Sequence, residues 1–312
     1  MANKLIVTAA PHITGTDTTQ KIMQRVCIAL LPTLAASAAI FGLHVLMLTA
    51  VTVASCVLFE YAWCRLMKKD LCVNDFSAVV TGMLLAFNLP DTLPWWMAVV
   101  GAFIAIIVVK QLFGGLGYNF ANPAIVARIA LAIGFAGRMA QCSFPQSGID
   151  ALASATPMSA ELTGSAYKAL LLGTHGGVLG ETCALTIMAG GVYLIATKVI
   201  SPVIPATYLG TVALLSVAAG KDPICQLLGG GLMLGAFFMA TDYVTSPTTR
   251  KGKFIFGIGL GVITCAIRFL GTVPEGVSFA ILLMNLLVPY IEEHTRQDRL
   301  GIAKTRKAGA GK

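Results

Sequence analysis

Charge is what this sequence is shortest of. Asp, Glu, Lys and Arg together make up 12% of the 312 residues, against 56% hydrophobic residues, where soluble domains carry about 25% charged residues. With a mean hydropathy of +0.81, that shortage excludes a soluble globular domain and points to a polytopic membrane protein with the lipid bilayer as its solvent. Metal and disulfide spacings are missing too. The eight cysteines contain no CxxC pair, so neither a zinc site nor a disulfide framework is indicated. Cys27, Cys56, Cys183, Cys225 and Cys265 lie in or beside apolar runs and are expected to pack as small hydrophobes. No cleavable leader is visible, because the first 24 residues are polar and the first apolar run is too long for a signal h-region. The glycine-rich run GGLGYNFANP, Gly114 to Pro123, lacks the strand–loop–helix setting of a phosphate-cradling loop. Asn119, Asn122 and Pro123 are better read as shaping a tight turn back into the next span. The net charge of +8 reflects loop bias in a membrane protein, so no nucleic-acid partner is expected.

What is present is a series of ten apolar stretches, roughly 25–43, 45–64, 76–89, 95–113, 123–137, 178–197, 202–219, 227–240, 254–270 and 276–291. A helical crossing takes about 20 residues, and two stretches fall well short. The third, Phe76 to Leu89, is closed by Pro90 and Pro94. The eighth, Leu227 to Ala240, is broken by Gly229, Gly230, Gly231 and Gly235. Asp75 stands where it can cap the third helix. Trp95 and Trp96 lead the fourth and suit an interfacial belt.

Ten crossings put both termini on one side. With that side inside, the inner segments hold 17 of the 22 basic residues, including Lys110 at a span edge, and the outer segments hold only Arg138, Lys168 and Lys221. That bias places the N- and C-termini in the cytoplasm and the 138–177 loop outside.

The two halves resemble each other. In each the third span is short, Asp91 follows one short segment and Asp242 the other, and GMLLAFNLPD (82–91) echoes GLMLGAFFMATD (231–242). Lys110-Gln-Leu-Phe-Gly likewise echoes Ile267-Arg-Phe-Leu-Gly. Five spans per half is odd, so the second half enters from the opposite face. The expected fold is an all-α polytopic membrane protein of about ten transmembrane helices, in two inverted five-helix repeats with short broken third helices. The division is a polar lead (1–24), a first repeat (25–137), an external loop (138–177), a second repeat (178–291) and a basic tail (292–312). Paired short, interrupted segments in inverted repeats point to a central site, since broken helices are tolerated only where they line protein or water.

Several polar residues carry two readings each. Arg128 and Arg268 lie inside spans but near their ends, so they either snorkel to the surface or meet an anionic or electron-rich ligand. Glu60 and Glu181 are read as interfacial, with a water path as the alternative. The run Thr245 to Thr249 is a turn or a phosphate holder. In the external loop, Asp150-Ala-Leu-Ala-Ser-Ala-Thr-Pro157 surrounds Thr156 with small side chains, which leaves its hydroxyl open to a modifying enzyme. The same composition is also that of an ordinary loop.

A set of stretches resembles one family: Pro11-His-Ile, DFSAVVTGMLLAFNLP (75–90), FGGLGYNFANPA (113–124), SATP (154–157), FFMATDYVTSPTTRKG (237–252) and NLLVPYIEEHTR (285–296). They are similar to the D subunit of the Rnf electron-transport complex and to the related B subunit of the sodium-pumping NADH:quinone reductase. The resemblance implies a bacterial cell-membrane subunit that passes electrons between ferredoxin and NAD, coupled to Na+ or H+ export. It implies FMN joined through its phosphate to a threonine by a dedicated flavin transferase, with the motif Asp-x-x-Ser/Thr-Gly-Ala-Thr/Ser. Asp150, Ala155 and Thr156 match; Ala153 stands where Ser or Thr is usual, and Ser154 where Gly is usual. Iron–sulfur and flavin subunits are implied as partners, and riboflavin in the membrane part. Arg128, Asn119, Asn122 and Arg268 are the further candidates for cofactor contact.

A tether suits the chemistry, because phosphate attachment holds the cofactor at the surface and leaves its ring free for redox change. The rival reading is a flavin-free secondary transporter or channel, which an inverted repeat with broken helices fits as well. A third is a scaffold within a complex.

Overall fold

A computed structural model describes residues 17–68, 73–141, 164–173, 176–180, 183–271 and 276–295. Every apolar stretch read from the sequence carries helix. Thr18 opens the first, its hydroxyl accepting from the Lys21 amide at 3.3 Å, and α1 runs Thr19–Phe41. Next come α2 (His44–Leu66), α3 (Ser77–Phe87) and α4 (Trp95–Phe103). α4 winds on without a break as a π-helix over Ile104–Gln111. Asn122 opens α5 (Pro123–Gly134), its Oδ1 accepting from the amides of Ala124 and Ile125 with Pro123 in the first turn, a position where proline gives up no helical bond.

The external loop contains two short helices, α6 (Ala136–Met139) at its start and α7 (Gly164–Leu172) near its end. The second half follows with α8 (Ala184–Ala196), α9 (Val203–Ala218) and α10 (Pro223–Leu228). The chain then breaks at Gly229–Gly231 and resumes as α11 (Leu232–Leu234), which continues as a π-helical turn, Gly235–Met239. α12 (Arg250–Leu270) and α13 (Val277–Thr295) close the bundle. Among the described residues, α1, α2, α12 and α13 are long and apolar enough to cross a membrane, and α3, α4 with its π extension, α5, α8 and α9 are shorter apolar helices.

Both short segments begin in the same way. Phe76 precedes α3 at φ 62°, ψ 6°, and Gly231 precedes α11 at φ 65°, ψ 12°. A left-handed cap is ordinary for glycine and uncommon for phenylalanine, so only the second was legible from residue type. Asp75 supports the first as expected: its Oδ1 accepts from the Ser77 amide at 2.8 Å and from the Ser77 hydroxyl at 2.5 Å.

Small residues set the helix spacing. Gly257 and Gly261 of α12 lie one turn apart against Thr207 and Thr211 of α9. A Cβ at Gly257 would fall 1.8 Å from Thr207 Oγ1, and one at Gly261 would fall 2.5 Å from Thr211 Cβ. In a bilayer, where lipid is as apolar as leucine, such close backbone approach is a main source of helix association. α2 packs on α3 and α4, α12 on α9 and α13, while α1 with α8 and α5 with α13 join one half to the other.

Candidate functional site

Between the halves lies a cavity of about 270 Å³. Its walls come from the start of α1 (Thr19, Ile22), the start of α3 (Ser77, Thr81), the end of the α4 extension (Lys110), the residues leading into α5 (Asn119, Asn122), and Phe237 to Val244 after the broken segment. These are helix ends at one end of the bundle. Most of the wall is apolar, and the polar groups are few: Lys110, Asp242, Asn119, Asn122, Ser77, Thr81 and Thr241.

The polar end is built around a buried ion pair. Lys110 and Glu60 are each 1% exposed. Lys110 Nζ donates to Glu60 Oε1 at 2.7 Å and to Ser77 Oγ at 2.6 Å, and Gln111 Nε2 donates to the same Glu60 Oε1 at 2.9 Å. Successive residues 110 and 111 reach one oxygen because they end a π-helical stretch. Glu60 Oε2 has no hydrogen-bond partner among the described residues. A buried acceptor left in that state costs about 1–3 kcal/mol, more when charged. Breaking a buried pair by removing one member costs about 3–5 kcal/mol, because the survivor is left uncompensated. The interfacial placement expected for Glu60 is therefore corrected: the partner charge on the α4 extension draws it into the bundle. Lys110, read as a span-edge inner charge, is equally buried. Glu181 lies outside the described residues.

Across the cavity, Asp242 Oδ2 accepts from Thr245 Oγ1 at 3.2 Å, and Asp242 is close enough to Lys110 to feel its charge. Asn119 Oδ1 is buried without a partner among the described residues. Asn122 does more than cap α5, since its Nδ2 donates to the Met239 carbonyl at 3.3 Å. Asn285 of α13, its amide orientation set by its neighbours, accepts from the Asn122 amide at 3.1 Å and donates to the Thr245 carbonyl at 3.0 Å. Arg128 of α5 donates from Nη1 to Ser278 Oγ of α13. The inner ends of the two halves are thus stitched by buried polar bonds.

Arg268 stands apart from the cavity lining. It is 8% exposed, and its guanidinium meets the break before α11. Nη1 donates to the Gln226 carbonyl at 2.6 Å, and Nη2 donates to the carbonyls of Gly229 at 3.0 Å and Gly230 at 3.2 Å. Those carbonyls are freed by the helix interruption, and a fork of donors satisfies them. Neither arginine snorkels; both are buried on protein acceptors. The Thr245–Thr249 run behaves as a turn, with Thr249 Oγ1 capping α12 through the Gly252 amide at 3.0 Å and Thr248 bonded to Glu292 at 2.8 Å.

At the opposite end of the bundle, α7 is docked on α10 by a hydrogen bond from the Tyr167 hydroxyl to Asp222 Oδ2. That bond to a carboxylate raises the Tyr167 pKa above its ordinary value. Asp150, Ser154, Ala155 and Thr156 lie outside the described residues. The structure brings Asn119 and Asn122 together at the cavity and leaves Arg128 and Arg268 in separate contacts. What sequence reasoning missed is the group Glu60, Lys110, Gln111 and Ser77. The available signal was a pair of opposite charges inside apolar runs, fifty positions apart.

Comparison with known proteins adds a family. Residues 6–301 match the model of the NQR2, RnfD, RnfE family. The chain is 48% identical, over 97% of each chain, to the D subunit of the Na(+)-translocating ferredoxin:NAD(+) oxidoreductase complex of Acetobacterium woodii. It is 38% identical to the D subunit of the Proton-translocating ferredoxin:NAD(+) oxidoreductase complex of Clostridium ljungdahlii, covering 96% of this chain and 97% of that one. It is 40% identical to the D subunit of the Ion-translocating oxidoreductase complex of Stutzerimonas stutzeri, covering 90% and 92%.

Proposed function

Because the chain belongs to the NQR2, RnfD, RnfE family, we propose that it is a membrane subunit of an ion-translocating ferredoxin:NAD+ oxidoreductase complex, with FMN joined by a phosphoester to Thr156. The observation that carries this reading is the 48% identity, over 97% of both chains, to a protein named as the D subunit of such a complex. The partners are the iron–sulfur and flavin subunits of that complex, and a flavin transferase for maturation.

The architecture proposed is ten crossings in two inverted five-helix repeats, 25–137 and 178–291, with both termini cytoplasmic and the 138–177 loop external. Three observations support it. Each half has a short third segment that starts from a left-handed residue. Each half sets a cation from its fourth helix at the start of that segment. The fifth helices, α5 and α13, bond to each other through Asn122 and Asn285.

The ends of the external loop suit a tethered cofactor. α6 extends from the outer end of α5, and α7, whose first residue is eight positions beyond Thr156, is fixed to α10 through Tyr167 and Asp222. The chain's own contribution is a hydroxyl among small neighbours, with Asp150, Ser154 and Ala155 for the transferase to recognise. Bound FMN supplies electron transfer at the outer face. Riboflavin in the membrane part belongs to the same proposal, but not in the cavity. Its volume of about 270 Å³ is below the ~300 Å³ typical of the smallest ligand pockets, and its polar end is a charge pair.

The test is the complex purified from a host that holds the transferase. A flavin absorption band, with ferredoxin-dependent NAD+ reduction driving ion uptake into vesicles, is the expected result. A colourless protein that moves an ion or solute without electron supply would establish the alternative, a flavin-free secondary transporter or channel.

A further inference from the structure

The arrangement around Glu60 is lopsided. Lys110 and Gln111 both donate to Oε1, and Oε2 of the same carboxylate has no donor among the described residues, although Glu60 is 1% exposed. A carboxylate shares its charge over both oxygens, so a permanent structural pair would draw donors to each. Lys110 is also more than a structural partner. Its amine has three donors; two go to Glu60 and Ser77, and the side chain lines the cavity that Asp242 faces from the other half.

We propose that Glu60 Oε2 is an uptake site for a monovalent cation, a proton or an alkali-metal ion, and that Lys110 is a tethered internal cation which the incoming ion displaces. With Glu60 neutralised by the ion, the Lys110 ammonium loses its counter-charge and moves along the cavity wall toward Asp242. Charge balances when Asp242 gives up the cation it holds, a proton or a second alkali-metal ion, as Lys110 arrives. One cation enters at Glu60 for each one released from Asp242, and the net charge of the buried site does not change, as low-dielectric surroundings require. The charged groups facing Glu60 are Lys110 from the α4 extension and Asp75 ahead of α3. Cys56, one turn before it on α2, lies within the field of the same pair. The inference rests on the family reading that the complex translocates an ion, and it names the residues that take the ion up.

The test uses the whole complex reconstituted in vesicles and reads the cation dependence of ferredoxin-driven NAD+ reduction. One arm titrates NaCl at fixed pH; the other titrates pH in sodium-free buffer. A purely structural Lys110 predicts that Lys110→Gln weakens cation binding or leaves it unchanged. A displaceable competitor predicts the reverse. Losing one nearby unit charge tightens apparent cation affinity by ~10-fold, seen as a lower half-saturating sodium concentration or as a pH profile moved up by about one unit. Glu60→Gln is expected to abolish the dependence in the same arm.

If Lys110→Gln does not assemble, the double variant Glu60→Gln/Lys110→Gln replaces the pair by neutral groups of similar shape and is expected to lose the cation dependence. Unchanged or weaker cation affinity in Lys110→Gln would overturn the proposal, as would wild-type affinity in the double variant. Failure of the wild-type complex to reduce NAD+ from ferredoxin would instead overturn the family reading, so the two failures are separable.

Discussion

Lys110 and Arg268 meet the two short helices at the same station. Lys110 Nζ donates to the hydroxyl of Ser77, the first residue of α3, and Arg268 donates to the carbonyls of Gly229 and Gly230, the last residues before the Gly231 cap of α11. A cation at a helix N-terminus opposes the helix dipole, so each needs local acceptors. Lys110 has the Glu60 carboxylate; Arg268 has the carbonyls that the glycine break exposes.

Arg268 therefore holds the broken segment shut. Arg268→Gln is expected to lower the stability of the detergent-solubilised protein by about 2–3 kcal/mol, the scale of charged hydrogen bonds lost at a buried site. Arg268→Lys should recover only part of it, because an ammonium cannot fork between two carbonyls. Thermal melting measures both. A lysine variant as stable as the parent would show that charge alone matters there.

Asn122 serves two elements, and two substitutions separate its roles. Asn122→Asp keeps the oxygen that caps α5 and loses the donor to the Met239 carbonyl; Asn122→Ala loses both. Losing an N-cap costs about 1 kcal/mol, so the alanine variant is expected to melt lower than the parent by at least that amount. A cysteine pair across α5 and α13 at Arg128 and Ser278, which are bonded directly, is expected to cross-link within one chain. Failure to cross-link under oxidising conditions would contradict the packing of the two halves.

Gly257 admits no larger residue. Gly257→Val forces α12 away from Thr207 of α9, at a cost of about 1–3 kcal/mol by overpacking. Gly210→Ala, where an added Cβ meets nothing within 4 Å, is the control and should melt like the parent.

The docking of α7 should depend on pH. The Tyr167 pKa is raised, chiefly by the bond its hydroxyl donates to Asp222. A raised folded-state pKa means the bond contributes fully below the unfolded tyrosine value of about 10. The contribution is lost as pH rises through the folded value, where phenolate and carboxylate repel. Hydrogen exchange along α7 is expected to accelerate in that alkaline window, and Tyr167→Phe should remove the pH dependence. Exchange in the parent that shows no such rise would contradict this contact.

Much of the fold was legible because apolar run length and punctuation are strong signals. The break at Gly229–Gly231, the Asp75 cap and the Asn122–Pro123 start of α5 follow from residue types alone. Boundaries moved where tertiary contacts took over. The sixth apolar stretch begins its helix at Ala184, not near 178, because the backbone at Leu179 and Gly180 donates to the Leu89 and Phe87 carbonyls at 3.3 and 2.7 Å instead of winding. The left-handed Phe76 was not legible, since nothing in a phenylalanine announces positive φ. The Glu60–Lys110 pair was missed for a related reason. A lysine ending an apolar run reads as a snorkelling side chain, and only the packing of α2 on the α4 extension reveals its counter-charge.

The central claim is a flavin on one external threonine. Peptide mass spectrometry of the 139–168 segment, from protein made in a host with the flavin transferase, measures it directly. The account predicts Thr156 carrying the mass of FMN, and both the added mass and in-gel flavin fluorescence lost in a Thr156→Ala variant that still inserts. A bare Thr156 in protein from that host, or fluorescence persisting in Thr156→Ala, would contradict it.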